Sequence, residues 1–429
     1  MTSTIDKTIS KVVESGLCTG CGTCAGICPQ QCIAMIEDTS KGIYLPHLEL
    51  EKCNECGICL KACPGHEVDF RALNLEIFGT GPTDSFVGNY INSYVGHSTD
   101  YDLRYNSASG GLVTALLIFA LEEGIIDGAL ITKMDDGNPL RPHPFIARTK
   151  DEIISAAKSK YCPVPLNIGL KEILQEDGKF AIVGLPCHIH GIRKAETIMS
   201  SLKSKIVLHL GLYCNHTPSF LATQYILQKV KVRPEEVAKL EYRAEGWPFT
   251  MRIILRSGKQ LLLPNYWGNG FGFFFYPECC LMCLDKSSEL SDCSFADAWL
   301  PELAYDRLGS SMVICRSAIG AKLLEDARQL NLIKLKEIPK SKMVKAQGLI
   351  YRRKAATAVM SVRNLFNKQV PAFNVVPIDI KITSQLTAIK RYICMNIGRR
   401  RRLWVFITLF SSVRTLLISL IRRFRRGTA

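Results

Sequence analysis

Eight cysteines could carry redox chemistry, and their spacing says which kind. Cys18, Cys21, Cys24 and Cys28 follow the pattern C-x2-C-x2-C-x3-C with Pro29 after it, and Cys53, Cys56, Cys59 and Cys63 repeat it with Pro64 after it. Three thiolates on one tight turn can hold three irons of a 4Fe–4S cubane, so the fourth ligand must come from a distance. In chains with this double run it comes from the other run. The pattern therefore predicts two clusters, one on Cys18, Cys21, Cys24 and Cys63 and one on Cys53, Cys56, Cys59 and Cys28. Gly20, Gly22 and Gly57 let backbone amides approach the sulfurs and tune their potentials, and each proline helps to hold its turn. A zinc ribbon would show two pairs of cysteines rather than two runs of four. Disulfides would need an oxidising compartment, and Cys32 reads as a small buried hydrophobe.

A second set of cysteines lies in the body of the chain. Cys187 follows the strand pattern Phe180–Val183, and Cys214 follows Lys205–Leu210. The interval between them fits one strand–helix–strand crossover. If these strands are parallel neighbours, both loops emerge at the carboxyl edge of the sheet, where open α/β sheets bind ligands. With Cys280 and Cys283 they could bind a third 4Fe–4S cluster. Zinc suits the same ligand types, and separate buried thiols are the alternative; Cys279 competes with Cys280. His188, His190, His209 and His216 flank these loops as proton shuttles or as satisfied structural histidines. Gly268–Gly272 and the aromatics after it do not fit a dinucleotide fingerprint, and there is no phosphate-binding Walker loop or nucleophile elbow.

The elements that must position these residues can be read from the pattern between them. Ser107–Gly111 leads into the apolar run Leu112–Leu121, which predicts a serine-capped helix stopped at Gly124. Ile125–Thr132 reads as a strand, and Thr217-Pro218 as the start of another helix, with proline in its first turn. Repeated strand–loop–helix units favour a parallel α/β sheet. The expected organisation is an α+β ferredoxin-like module over residues 1–75, an α/β body in two parts (88–165 and 166–340), a helical extension (341–381) and a basic amphipathic tail (382–429).

The chain has 429 residues, 47% hydrophobic and 22% charged, which is a globular composition. Its N-terminus lacks the apolar core of a signal peptide, so a reducing cytoplasmic setting is expected. The net charge is +15, but residues 382–429 hold 11 Lys/Arg and no Asp/Glu, leaving +4 for the first 381. The basicity is an appendage, no nucleic-acid-binding motif accompanies it, and no nucleic-acid partner is expected. In that tail Arg399–Arg402 precede the apolar run Leu403–Ile421, and Arg422, Arg423, Arg425 and Arg426 follow it. Arg414 sits mid-run, where a lipid-spanning helix tolerates charge poorly. On a helix, Thr408, Ser412, Thr415 and Ser419 share a face with Arg401, Arg422 and Arg426. An amphipathic helix on the inner, anionic face of the cell membrane is the expectation, with partner docking and a true span as alternatives.

Taken together, these pieces resemble the coenzyme F420 hydrogenase/dehydrogenase beta-subunit family over residues 18 to about 340. The resemblance rests on the double cysteine run, Ser107-Ala-Ser-Gly-Gly-Leu-Val-Thr114, Asp127-Gly128, Ser159-Lys-Tyr161, Gly184-Leu-Pro-Cys187-His188, Gly211-Leu-Tyr-Cys214, Cys280-Leu-Met-Cys283-Leu-Asp285 and Asp292–Trp299. Leu185 and His188 stand where the family usually has Thr and Gln, and Ala296 where it has Gly.

The resemblance implies an FAD-binding α/β body fed by ferredoxin-type clusters. The implied partners are a redox protein (ferredoxin or a partner subunit) and a small organic acceptor or donor. The latter would be a deazaflavin coenzyme or another substrate, including one from a polysaccharide pathway. The implied cofactor contacts are Ser109, Gly110, Gly111 and Thr114, where free amides at a helix start would cradle a phosphate, and Lys160 as its counter-charge. The expected activity is that of an iron–sulfur flavoprotein oxidoreductase. The alternative is a non-catalytic electron-transfer subunit of a larger hydrogenase- or dehydrogenase-like complex.

Overall fold

The computed structural model describes residues 7–410 apart from 249, 265, 267–270 and 377. Each cysteine run folds as a loop closed by one short helical turn, Thr23–Gly26 or Ile58–Lys61. The residues before these turns, Gly22 and Gly57, have φ of +86° and +73°, a conformation open to glycine at little cost. Between the runs lies an antiparallel hairpin, Ile33–Asp38 with Ile43–Leu48. The Asp38 carboxylate closes its turn by accepting from the amides of Ser40 and Lys41, each at 3.0 Å. The apolar filling of this module is shared: Ile9, Val12 and Ile33 pack with Leu281 and Met282 of the body and with Val359 and Val362 further on.

The body is built on one eight-stranded sheet. Its order is Ile333–Glu337, Asn92–Ser98, Ser311–Cys315, Cys293–Asp297, Ile206–Leu212, Phe180–Gly184, Gly128–Met134 and Pro142–Ala147. The four strands from Cys293–Asp297 to Gly128–Met134 run parallel. The flanking strands on both sides are antiparallel, so the sheet is mixed rather than parallel throughout. The two expected body segments, 88–165 and 166–340, share this sheet, because Asn92–Ser98 pairs with both Ser311–Cys315 and Ile333–Glu337.

Side-chain alternation along the central strands explains the layers. Ala129, Ile131, Ala181 and Leu208 face helices Leu112–Glu122 and Ala318–Gln329. Leu130, Phe180 and Ile182 face Leu170–Gln175, Pro186–Glu196 and Ser200–Lys205. Burial on both faces accounts for the short, continuously apolar strands.

Three expectations change. Helix Leu112–Glu122 is preceded by Gly111 at φ +75° with no side-chain cap, not by a serine. The helix after Pro218 spans Phe220–Lys229 with Ser219 as its N-cap, so the proline lies outside it. A separate three-stranded sheet, Val237–Ala244, Thr250–Leu255 and Gln260–Pro264, stands beside the main one and was not foreseen.

The extension carries helices Lys340–Ala346 and Leu349–Leu365, and its short strand Ala372–Phe373 pairs in parallel with Glu67–Val68. Helix Ile382–Gly398 packs against Leu349–Leu365. A Cβ on Gly398 would fall 1.7 Å from the Phe274 carbonyl oxygen, so only glycine allows this approach. Trp404 and Ile407 are buried against the body beside Tyr225 and Phe275. The first part of the basic tail is therefore docked on the protein. Residues 411–429, with Arg414, Thr415, Ser419 and the last arginines, lie outside the described residues. Among the described residues no helix is long and apolar enough to cross a membrane.

Candidate functional site

The eight thiols of the N-terminal module gather in two groups that cross between the runs. Burial pushes the Cys18 thiol up, and Cys63 and Cys21 nearby push it further. Cys24 is raised by burial and then by Cys18, Cys21 and Cys63. Cys63 is pushed up to about 12 by burial and Cys21. Cys59 is raised by burial, with Cys56 and Cys28 among its neighbours. Cys63 thus lies near the first run and Cys28 near the second, and Cys59 also lies near Cys24.

Four buried thiolates repel one another and pay desolvation unless a cationic core neutralises them, so the donor set suits iron–sulfur cores. No group of three or more His, Cys, Asp or Glu among the described residues could hold a single metal ion. A cubane takes one thiolate at each of four separated irons and does not require that convergence. Backbone amides reach the sulfurs: Gly20 donates to Cys18 Sγ and Glu55 to Cys53 Sγ, each at 3.4 Å. Glu55 holds the place in the second run that Gly20 holds in the first, and both have positive φ. The first group is buried, while Cys56 of the second is exposed. Cys32 is buried, with its Sγ 3.5 Å from that of Cys28.

The third set of cysteines also converges. Strands Phe180–Gly184 and Ile206–Leu212 are parallel neighbours, and Cys187 lies in the first turn of helix Pro186–Glu196. Burial raises the Cys187 thiol, and the neighbours that raise it further are Cys21, Cys214, Cys280 and Cys283. Cys283 is pushed up to about 12 by burial. Cys280 is held down at about 7 by the hydrogen bond from Cys279. This group therefore adjoins Cys21 of the buried N-terminal group.

Beyond it opens a cavity of about 670 Å³, the size of a cofactor site. It is lined by the Ser107–Ser109 loop, Gly111–Thr114, Lys158–Tyr161, Gly184, Leu185, His188 and Leu212–Pro218, with Arg243, Asp297 and Trp299 across from them. Cys214 belongs both to the thiol group and to this wall. Ser109, Gly111, Thr114 and Lys160 of the expected contacts line the cavity; Gly110 does not. The Gly110 amide donates to Ser311 Oγ at 2.9 Å, and Ser109 Oγ lies 2.6 Å from the same hydroxyl. Lys160 donates to the carbonyls of Ala157 and Lys158, both at 3.0 Å, and burial brings its pKa down to about 7. Ser107 Oγ and His216 Nδ1 are buried in this wall without a partner, as an absent polar ligand would leave them.

The histidines divide. His188 accepts from the Leu185 amide at Nδ1 and donates from Nε2 to Val164 O at 2.9 Å, and burial lowers it to about 4. His190 pairs with Asp285 at 2.8 Å, and His209 lies between Glu196 and Asp292 at 2.7 and 3.2 Å. Those three are satisfied and structural; His216 alone of the four has a free nitrogen in the cavity wall. Residues not foreseen also face the site. Arg243 makes a two-pronged pair with Asp297 at 3.0 and 3.2 Å, Lys286 and Gln347 close one side, and Arg352 stands behind His216 of the wall. Arg243 comes from the unforeseen sheet and Arg352 from the extension, where no motif marked them.

Gathered thiols beside a mixed sheet with a cofactor-sized cavity define an iron–sulfur electron-transfer protein. Comparison with known proteins agrees. Residues 17–66 match the 4Fe–4S dicluster domain, and residues 93–171 and 177–341 match the N-terminal and C-terminal models of coenzyme F420 hydrogenase/dehydrogenase, beta subunit. The beta subunit of coenzyme F420 hydrogenase from Methanothermobacter thermautotrophicus is 30% identical over 60% of this chain and 88% of its own length. The coenzyme F420-dependent sulfite reductase of Methanocaldococcus jannaschii is 26% identical over 79% of this chain and 50% of its own length. In a solved structure of the F420-reducing NiFe hydrogenase complex from Methanosarcina barkeri, one chain superposes with a TM-score of 0.54. That chain is 25% identical, and the match covers 67% of this chain and 97% of that one. The protein belongs to the coenzyme F420 hydrogenase/dehydrogenase beta-subunit family, and with it to the iron–sulfur oxidoreductases.

Proposed function

We propose that the chain is an iron–sulfur flavoprotein oxidoreductase. It would pass electrons between its ferredoxin-type clusters, FAD in the cavity, and an organic acceptor or donor such as a deazaflavin coenzyme. The observation that carries this reading is that Cys214 is at once a member of the third thiol group and part of the cavity wall. Each thiol group thus adjoins the next: Cys56 lies near Cys59, Cys59 near Cys24 of the buried first group, and Cys21 of that group near Cys187, beside Cys214 at the cavity. Held there, a flavin would exchange single electrons on one side and a hydride on the other. The chain's own part is to exclude water from the buried thiol groups, to hold the phosphate end near Ser109, Gly111, Thr114 and Lys160, and to set potentials by burial and hydrogen bonds. A second reading, an electron-transfer subunit that needs a larger complex, is favoured by the relatives that are hydrogenase subunits and by the exposed Cys56 as a point of entry.

Anaerobic purification with iron, sulfide and flavin counted per chain tests the reading. About twelve irons and one flavin are expected, and Cys214→Ser should lose about four irons. A chain that binds no FAD would overturn it. Turnover with a reduced viologen and no partner separates the first reading from the second.

Lys160 gives the flavin reading a pH signature. A phosphate beside it would raise its pKa above the free value of about 7. Affinity for FAD should then be constant below pH 7 and fall, by at most about tenfold per pH unit, as pH rises through the window between the free and bound values. In Lys160→Met this fall should disappear, apart from any contribution of Lys286, which burial lowers to about 8.

We also propose that the docked part of the tail faces an anionic membrane leaflet. Ile382, Leu386, Ile389 and Ile393 form one exposed apolar row on helix Ile382–Gly398. Lys390 and Arg400–Arg402 are exposed around it, and residues 381–410 contain no acidic residue. Apolar insertion with basic attraction is the requirement for such binding. The full chain should float with vesicles containing phosphatidylglycerol and not with neutral ones. Leu386→Asp with Ile389→Asp should cut binding about tenfold or more; unchanged binding would sink the idea.

A further inference from the structure

Helix Leu349–Leu365 begins after the residues matched by the family, which end at 341, yet it delivers a guanidinium to His216 in the wall of the cavity. Arg352 is buried, and its Nη2 donates to the Cys280 carbonyl at 2.6 Å. Its Nη1 meets Nε2 of His216. A guanidinium carries donors only, so this Nε2 must accept, and the proton of the neutral ring then sits on Nδ1. That Nδ1 is the nitrogen buried without a partner in the cavity wall. The ring cannot turn freely to find one, because it is stacked on Tyr276 with centroids 4.4 Å apart and planes 18° apart. The backbone of His216 is also held at φ +110°, a conformation seldom seen outside glycine and one that surrounding structure must sustain. A buried N–H facing a cavity, with its ring locked by an arginine and an aromatic, is an unanswered donor.

We propose that Arg352 is a positioning residue that fixes His216 in the Nδ1–H form. His216 then donates a hydrogen bond to an acceptor atom of the cavity's occupant, a carbonyl oxygen or unprotonated ring nitrogen of an isoalloxazine. The inference rests on the flavin reading of the cavity. A donor at that atom holds the oxidised ring in place and favours the more electron-rich reduced ring, so it raises both affinity and midpoint potential.

The experiment uses the full chain loaded anaerobically with iron, sulfide and FAD. It reads FAD affinity by fluorescence quenching and the flavin midpoint potential by spectroelectrochemistry, with iron content as the check on folding. His216→Phe should weaken FAD binding about tenfold and lower the midpoint. Arg352→Met should shift both in the same direction, and Arg352→Lys, which keeps a donor-only cation, should restore them. Wild-type affinity and midpoint in His216→Phe or Arg352→Met would overturn the proposal, as would an Arg352→Lys chain with full iron that behaves like Arg352→Met. A wild-type chain that takes up no FAD would remove the flavin reading and this inference with it, whereas failure in the variants alone removes only the inference.

Discussion

Cys63→Ser should remove the buried N-terminal cluster and leave the exposed one, although Cys63 belongs to the second cysteine run. Its thiol is raised by burial and by Cys21, and it in turn raises Cys18 and Cys24. Serine offers no soft thiolate to iron at this buried position, so about four irons per chain should be lost. Cys28→Ser should lose the same number from the other group. The two losses are told apart by access. The group containing exposed Cys56 should yield iron quickly to a water-soluble chelator, and the group of Cys18, Cys21, Cys24 and Cys63 slowly. The iron remaining in Cys63→Ser should therefore be labile and that in Cys28→Ser protected. The reverse pattern would mean that each run holds its own cluster.

Gly26→Ala should be the most damaging small substitution at the seam between the module and the body. A Cβ there would sit 1.9 Å from the Asn167 carbonyl oxygen and 3.1 Å from Leu170 Cβ, and a backbone atom cannot swing aside as a side-chain tip can. Across the seam a Cβ on Gly191 would fall 2.1 Å from Thr23 Oγ1. The backbones are brought this close by Asn167, whose amide donates to Cys21 O at 2.9 Å. Its side chain donates to Thr23 Oγ1 at 2.8 Å and to His188 O at 2.9 Å. This seam sets Cys21 beside Cys187. Overpacking here should cost about 2–5 kcal/mol, read as a clear fall in the anaerobic melting temperature. Gly81→Ala, whose nearest neighbour would be Arg71 Cγ at 4.0 Å, is the control and should change stability by no more than about 0.5 kcal/mol. Equal melting of Gly26→Ala and the wild type would refute the close approach.

Much of this protein is legible residue by residue. The double cysteine run is a local geometry repeated within 70 residues, and turn spacing alone decides which thiols can share a cubane. The strands Phe180–Gly184 and Ile206–Leu212 are short apolar runs separated by one crossover, so their parallel pairing, and the meeting of Cys187 with Cys214, could be anticipated. The helix Leu112–Glu122 was legible but its cap was not. Ser109 bonds across the sheet edge to Ser311, a partner 202 residues away, and leaves Gly111 to start the helix. The sheet Val237–Pro264 escaped notice because charged residues interrupt its strands (VAKLEYRA, for example).

What the sequence determined by itself is the chemistry that short-range spacing can enforce, a module of 4Fe–4S type, and from it came the expectations of crossed pairing and of a ligand site at the ends of parallel strands. Only the tertiary structure decided that Arg243 faces that site, that Arg352 stands behind His216, and that Trp404 docks the tail. Their meaning depends on partners brought together by packing over long separations. An arginine carries no sign in its own neighbourhood of which buried ring it will hold.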